Sequence, residues 1–268
     1  MSALPPLTWL YVPASRPERV LKALASGAHA VIVDLEDGVA PSEKEQARLG
    51  LAELFQQRPA VRVHVRVNAL GTRWAKDDLA AALELAIHGV HLPKVESADV
   101  PSTGRLELHC LVETPLGVER AFEIASAPGV RGLSLGEADL RAHTGAGDAG
   151  LDWARGRVVN AALAAGLPRP PQSAFGDIDD LDGLAASCAR GRELGFLGRT
   201  AVHPKQLTVI ERAYLPSASE VEAARALLAA AEGEGGAFAL GGQLVDAPFV
   251  AAARATVELA DRYGLRDV

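Results

Sequence analysis

The sequence predicts an α/β fold, a closed (β/α)8 TIM barrel carrying a C-terminal helical extension. Three observations support this. Short apolar runs alternate with longer amphipathic ones, and repeated strand–helix units require a parallel sheet. Eight such units in about 210 residues match the usual size of a barrel. After residue 215 the alternation gives way to helical patterns alone. The boundaries that follow are 1–215 for the barrel and 216–268 for the extension. A length of 268 residues is short for two full domains, and 49% hydrophobic residues supply a sizeable core. A doubly wound open sheet is the alternative arrangement.

The expected strands are TWLYVP (8–13), HAVIVD (29–34), VRVHVRV (61–67), HLPK (91–94), ELHCLVE (107–113), GLSLG (132–136), PPQSA (170–174) and TAVH (200–203), the seventh being the weakest in pattern. Between most of them lie helical stretches: 16–27, 42–57, 75–89, 117–127, 151–166 and 180–195. Several close on glycine, a common helix stop. In the extension, Ser217 heads a helix over 217–235. A short glycine-bearing turn follows at 237–248, then a last helix over 249–264.

Composition excludes several functions. The formal net charge is −7, without a run of Lys and Arg. This argues against nucleic acid and against an anionic membrane surface as partners. Cys110 and Cys188 sit in no metal or redox spacing and read as buried thiols in a reducing compartment. The first residues lack the pattern of a signal peptide, and no apolar run reaches the length of a span. A cytoplasmic protein is expected.

Barrel enzymes carry their reacting groups at the C-terminal ends of the strands. Here those ends hold Asp34, Glu36 and Asp37, then Arg66 and Asn68, Lys94, Glu113, Glu137 with Asp139, and His203. Crowded carboxylates need a cation, a proton or guanidinium partners. Glu113 and Asp139 suit a hard ion such as Mg2+, with Mn2+ as a substitute. Arg66 suits a substrate carboxylate or a developing enolate. Each has a plainer reading beside it. The DLED acids can end a strand in solvent, Arg66 can complete a structural ion pair, and Asp139 can cap a helix. His203 reads as a hydrogen-bonded barrel residue. GAGDAG (145–150) formally matches GxGxxG but lies away from a strand end. It reads as a flexible loop in which Asp148 would repel a pyrophosphate.

Taken together, YVPASRPERVLKALASGAHAVIVDLEDGVAPSEKEQAR, VRVNALGTRWAKDDL, LPKVES, LVETPLGV, GLSLGEADL, TAVHPKQL and GQLVDAP resemble the citrate lyase β-subunit-like branch of the HpcH/HpaI aldolase superfamily, over nearly the whole chain. The resemblance implies a Mg2+-dependent carbon–carbon lyase acting on a 3-hydroxyacyl thioester of CoA or acyl carrier protein, such as a malyl, citramalyl or citryl thioester. It implies Glu113 and Asp139 as metal ligands, Arg66 as the substrate contact, and Glu36 and Asp37 beside the metal, where Asp37 is also a catalytic candidate. Asp246 in GQLVDAP matches an acid/base contributed by a neighbouring subunit, which implies a homo-oligomer, a trimer or hexamer. Arg16, with Lys44 and Arg48, flanks the first loops, where these residues meet CoA phosphates or stand as solvated helix residues. The family's GAED reads Gly136-Glu137-Ala138-Asp139 here, so one acid has moved by a place. Ala14 replaces a frequent glycine. A carrier-protein-dependent β subunit, a pyruvate-type aldolase on free acids and a non-catalytic scaffold are the competing readings.

Overall fold

The computed structural model describes residues 5–233 and 236–265. Contacts divide the chain between Glu211 and Arg212.

The larger unit is an alternation of strands and helices. It runs β1 (Thr8–Pro13), α1 (Pro17–Leu24), β2 (Ala30–Asp34), α2 (Lys44–Leu54), β3 (Arg62–Arg66), α3 (Ala75–Glu84), β4 (Gly89–Leu92) and β5 (Glu107–Val112). It continues through α4 (Pro115–Glu119), α5 (Ala121–Ala125), β6 (Val130–Leu135), α6 (Glu137–Thr144), α7 (Asp152–Ala164), α8 (Leu181–Glu193) and β7 (Arg199–Ala201), and the division falls within α9 (Leu207–Tyr214). Among the described residues the strands form one seven-stranded parallel sheet in the order β6-β5-β4-β3-β2-β1-β7. β2 and β4 are buried along their whole length. This is why they read as unbroken apolar runs rather than alternating ones.

The seventh expected strand, 170–174, is not formed, whereas the eighth, expected at 200–203, is β7. Within 170–174 a single bridge joins Gln172 to Arg199. Pro170 and Pro171 have no N–H for a ladder. The gap beside β6 is spanned by a side chain instead, with the Glu137 N–H donating to Ser173 Oγ at 3.2 Å. The structure is therefore a curled seven-stranded sheet rather than a closed eight-stranded ladder.

Helix ends follow local chemistry. Thr114 accepts from the Gly117 N–H and Asp180 from the Gly183 N–H, and Pro17 and Pro115 occupy first-turn positions. Two helices depart from expectation. The helical pattern over 75–89 stops at Glu84, where Leu85 turns extended at ψ 151° and leads into β4. The stretch 117–127 breaks at Arg120 into α4 and α5.

Side chains on one face of the strands fill the interior. Trp9, Ala30 and Ile32 pack together with Tyr11 against them. Trp9 also lies 5.1–5.5 Å, between ring centroids, from His64, His91 and His109. These three imidazoles are buried, and five of their ring nitrogens have no hydrogen-bond partner. An orphaned buried polar group costs about 1–3 kcal/mol. Cys110 and Cys188 are free and buried, as expected.

The smaller unit contains α10 (Ala218–Ala231), β8 (Phe238–Leu240), β9 (Gln243–Val245) and α11 (Ala247–Arg262). Ser217 and Glu220 form a capping box at the start of α10. The segment read as a turn is a two-stranded antiparallel hairpin, β8 against β9. Gly241 and Gly242 both take positive φ at its tip, 58° and 82°, as a tight hairpin turn of this hand requires. No helix among the described residues is long and apolar enough to cross a membrane.

Candidate active site

The C-terminal ends of the strands open into a cavity of about 470 Å3. Its lining includes Tyr11, Asp34, Asp37, Arg66, His91, Glu113, Asp139 and Thr200, so β1 to β5, β7 and the start of α6 all contribute to one mouth.

Asp34 anchors the arrangement. Parallel register places it opposite Arg66, and its two oxygens accept from Arg66 Nε and Nη2 at 2.7 Å each. The Glu36 and Gly38 N–H groups donate to the same carboxylate at 2.8 Å. A Cβ at position 38 would fall 2.5 Å from Asp34 Oδ2, so the DLEDG turn needs its glycine for close approach. Arg66 is left with Nη1, 3.0 Å from Glu36 Oε2, and lies over the Tyr11 ring at 4.9 Å. Burial works against the Arg66 charge, but the Asp34 bonds and neighbouring acids raise its pKa above the ordinary value. Asp34 was visible as a strand end, but its role as the holder of Arg66 was not.

Lys94 is the second organiser, and sequence reasoning left it without a role. Among the described residues it is the only non-glycine with positive φ, 54°, a conformation that costs roughly 1–3 kcal/mol. It is held there from both ends. Its N–H donates to Glu113 Oε1 at 2.7 Å. Its ammonium hydrogen-bonds Glu36 and lies 3.5 Å from Asp37 Oδ2 and 3.6 Å from Asp139 Oδ1. Three of the crowded acids thus surround one ammonium.

Glu113 is buried directly beyond β5, under Gly136, where any Cβ would fall on its carboxylate. Burial, then the charges of Glu36 and Asp139, push its pKa up to about 7. Burial also raises that of Glu36, against the pull of Arg66 and Lys94. Asp139 sits in the first turn of α6 with 31% of its side chain exposed. Asp37 is 60% exposed at the rim. Glu113 and Asp139 are oxygen donors on one cavity, and one of them resists ionising unless a cation is supplied. That donor set fits a hard divalent ion.

The displaced acid of the GEAD segment, Glu137, points to different partners. Arg155 holds it through Nε at 3.0 Å and Nη2 at 2.5 Å, and also binds Asp148 and Asp152. Asp148 therefore ties the 145–150 loop down to α7, where a free flexible loop had been expected.

Other expected residues lie as follows. Arg16 is 47% exposed, pairs with Glu43 at 3.2 Å and is not part of the cavity lining. Lys44 is neither a phosphate contact nor solvated. It is buried, and its ammonium donates to the Leu35 and Glu36 carbonyls and to Asn68 Oδ1. Arg48 is mostly buried against Asp78 at 3.2 Å. His203 caps the turn at Pro204–Gln206, its Nδ1 accepting from the Lys205 N–H. Asp246 belongs to the smaller unit. It precedes α11, and its buried Oδ1 has no hydrogen-bond partner, beside a cavity lined by Val250 and Arg254.

With this geometry established, comparison with known proteins is decisive. The HpcH/HpaI aldolase/citrate lyase profile matches residues 7–103 and 101–204. The chain belongs to the HpcH/HpaI aldolase/citrate lyase family. A profile for a C–C bond lyase of the TIM-barrel fold matches residues 165–265. A citrate lyase subunit beta-like protein of Mycobacterium tuberculosis is 40% identical over 256 residues, 90% of each chain. A (3S)-malyl-CoA thioesterase of Cereibacter sphaeroides is 35% identical over 94% of this chain and 93% of its own length. The crystal structure of protein CitE from Mycobacterium tuberculosis in complex with magnesium, acetoacetate and coenzyme A superposes with a TM-score of 0.88, at 37% identity, covering 97% of this chain and 99% of the other.

Proposed function

We propose that this family member is a Mg2+-dependent lyase that cleaves, or in reverse condenses, a 3-hydroxyacyl thioester of CoA into a keto acid and an acetyl thioester. The observation that carries the reading is Glu113. It is a buried carboxylate raised to about 7, sharing a cavity with Asp139 and Arg66. The family relatives bound to magnesium and coenzyme A support the same choice of ion and thioester.

Glu113 and Asp139 would hold the ion. Once bound, Mg2+ lowers the pKa of a coordinated hydroxyl and neutralises the crowded acids. Lys94 keeps Glu113 oriented through its backbone N–H and balances Glu36. Arg66, held by Asp34 through Nε and Nη2 and by Glu36 through Nη1, would place a fixed positive charge beside the thioester, where an enolate develops. Asp37 at the rim would receive water bound to the ion. Asp246, from the smaller unit of a neighbouring copy, would protonate the enolate carbon on cleavage and remove its proton on condensation. This makes a homo-oligomer, a trimer or hexamer, part of the proposal. Arg16 would contact CoA phosphates at the rim. A cytoplasmic setting fits the charge and the reduced cysteines.

A second reading, thioester hydrolysis, is favoured by the identity to malyl-CoA thioesterases. One assay separates the two. Purified protein is incubated with malyl-, citramalyl-, hydroxymethylglutaryl- and citryl-CoA, with and without EDTA. EDTA-sensitive release of a keto acid (acetoacetate from the hydroxymethylglutaryl thioester) with acetyl-CoA supports the lyase. Release of free hydroxy acid and CoA thiol supports hydrolysis. Silence on all four overturns both and leaves a carrier-protein-bound substrate, a free hydroxy-keto acid or a non-catalytic binder.

A further inference from the structure

Beneath the carboxylate mouth, the interior of the sheet carries a different donor set. His64, His91 and His109 come from three neighbouring strands, β3, β4 and β5. Parallel pairing sets His91 directly beside His109 and sets His64 beside Gly89, two residues before His91. Strand alternation points all three to the same side as Arg66 and Glu113. The ring centroids stand 4.7–5.2 Å apart, and one ligating nitrogen from each ring can be chosen so that all lie within 4.8 Å of one another.

We propose that His64, His91 and His109 form a buried three-histidine site for a zinc-type transition ion, distinct from the oxygen-donor site at the mouth.

Three observations carry this. Both ring nitrogens of His64 and of His91, and Nδ1 of His109, are buried without a hydrogen-bond partner. A purely packing role would be served without that penalty by phenylalanine. Space for the rings is kept by two glycines. A Cβ at Gly89 would meet the His64 ring at 2.6 Å, and one at Gly132 would meet the His109 ring at 2.5 Å. A carboxylate stands next to the cluster. Glu107 Oε2 is 3.5 Å from His64 Nε2 and 3.7 Å from His109 Nε2, and Arg62 fixes it. Such a group can orient ligating imidazoles or take a fourth tetrahedral position. Tetrahedral zinc bonds of about 2.0–2.1 Å require the nitrogens to draw closer than their present spacing of up to 4.8 Å. Nitrogen donors select zinc or cobalt, whereas Glu113 and Asp139 select magnesium. The ion would tie β3, β4 and β5 together under the cavity floor, to which His91 contributes.

The site is enclosed, so the ion would enter as the chain folds. The full-length protein is therefore produced in medium supplemented with zinc or with cobalt, passed over chelating resin and analysed for metal. The expected result is about one ion per chain in the wild type and in Glu113→Gln, which removes the oxygen site. In the cobalt form, the visible bands of a tetrahedral ion and three imidazole scatterers in X-ray absorption are expected. Trp9 is the tryptophan in contact with the cluster. Its fluorescence should be quenched by cobalt in a Trp74→Phe/Trp153→Phe background. His91→Phe, which keeps ring volume, should lose the ion and the quenching. If that variant does not fold, the wild-type scatterer count and the Glu113→Gln comparison decide. A wild type free of metal overturns the proposal and leaves an aromatic plug. Metal lost with Glu113→Gln, or oxygen-only scatterers, places the ion at the mouth and also overturns it. The first result leaves the lyase reading untouched, and the second puts a metal at Glu113 while the lyase assay still decides turnover.

Discussion

Two groups of acids stand within the same unit and behave in opposite ways. Around Arg155, the carboxylates of Asp148 and Asp152 lie below their ordinary pKa, because the guanidinium hydrogen-bonds them directly. At the mouth, Glu113 and Glu36 are pushed up, because burial and neighbouring acids outweigh Lys94 and Arg66. The first group is satisfied by the protein. The second is short of positive charge by design of the fold, since Lys94 and Arg66 must serve Asp34, Glu36, Asp37, Glu113 and Asp139 between them. Acids that a protein satisfies stabilise it, whereas acids it leaves poised are available to an ion or a substrate.

Substitution at the two groups should break the comparison most sharply. Glu113→Gln is expected to lower Mg2+-dependent turnover by roughly a hundredfold or more, measured as kcat/KM in the coupled assay. It should not destabilise the metal-free protein. A raised folded pKa means that ionising Glu113 costs stability as pH rises from 4.5 through about 7. The neutral amide should therefore gain about 2–3 kcal/mol above pH 7 in urea unfolding. Arg155→Met should do the reverse. It leaves the buried Glu137 with Arg141 at 3.4 Å as its remaining guanidinium, for a loss of about 2–3 kcal/mol, with Mg2+ affinity little changed in calorimetry. Normal turnover in Glu113→Gln would remove the poised group from the chemistry.

Titration sharpens the same contrast. Because protons compete with the ion for Glu113, Mg2+ affinity in calorimetry should rise roughly tenfold per pH unit up to about 7, then level off. An affinity flat between pH 5 and 7 would show that Glu113 is not a ligand. A smaller effect is expected from Gly136→Ala. It crowds Glu113 and should cost about 1–3 kcal/mol together with weaker Mg2+ binding. The smallest is expected from Arg16→Ala. Its exposed pair with Glu43 is worth about 0–1 kcal/mol, so thermal unfolding should hardly move, while the KM for a CoA thioester should rise if Arg16 meets the phosphates.

Much of the mouth was legible because strand-end position is a local signal. Asp34, Arg66, Glu113 and Asp139 each follow an apolar run by a fixed short distance. What escaped depends on partners distant in sequence. Lys94 reads as a lysine after a strand until its φ and its three carboxylate neighbours are seen. Lys44 reads as a solvated helix residue, yet it is buried on the carbonyls of the DLED turn. Glu137 looks like a displaced site acid until Arg155, on the next long helix, claims it. The histidines lie on the same strand face as the site residues, His64 two positions before Arg66 and His109 four before Glu113. That phase was available in the sequence, but its meaning needed three strands in register.

The sequence alone determined the order of strands and helices, the glycines and prolines that end them, and the strand ends that carry charge, because these follow from spacing along one chain. Tertiary structure alone decided which acids are satisfied and which are poised, that the proline-bearing seventh segment contributes one bridge rather than a strand, and that three imidazoles meet in the interior. Those outcomes depend on burial and on distances between residues tens of positions apart, and a pKa or a coordination shell has no value until those distances are set.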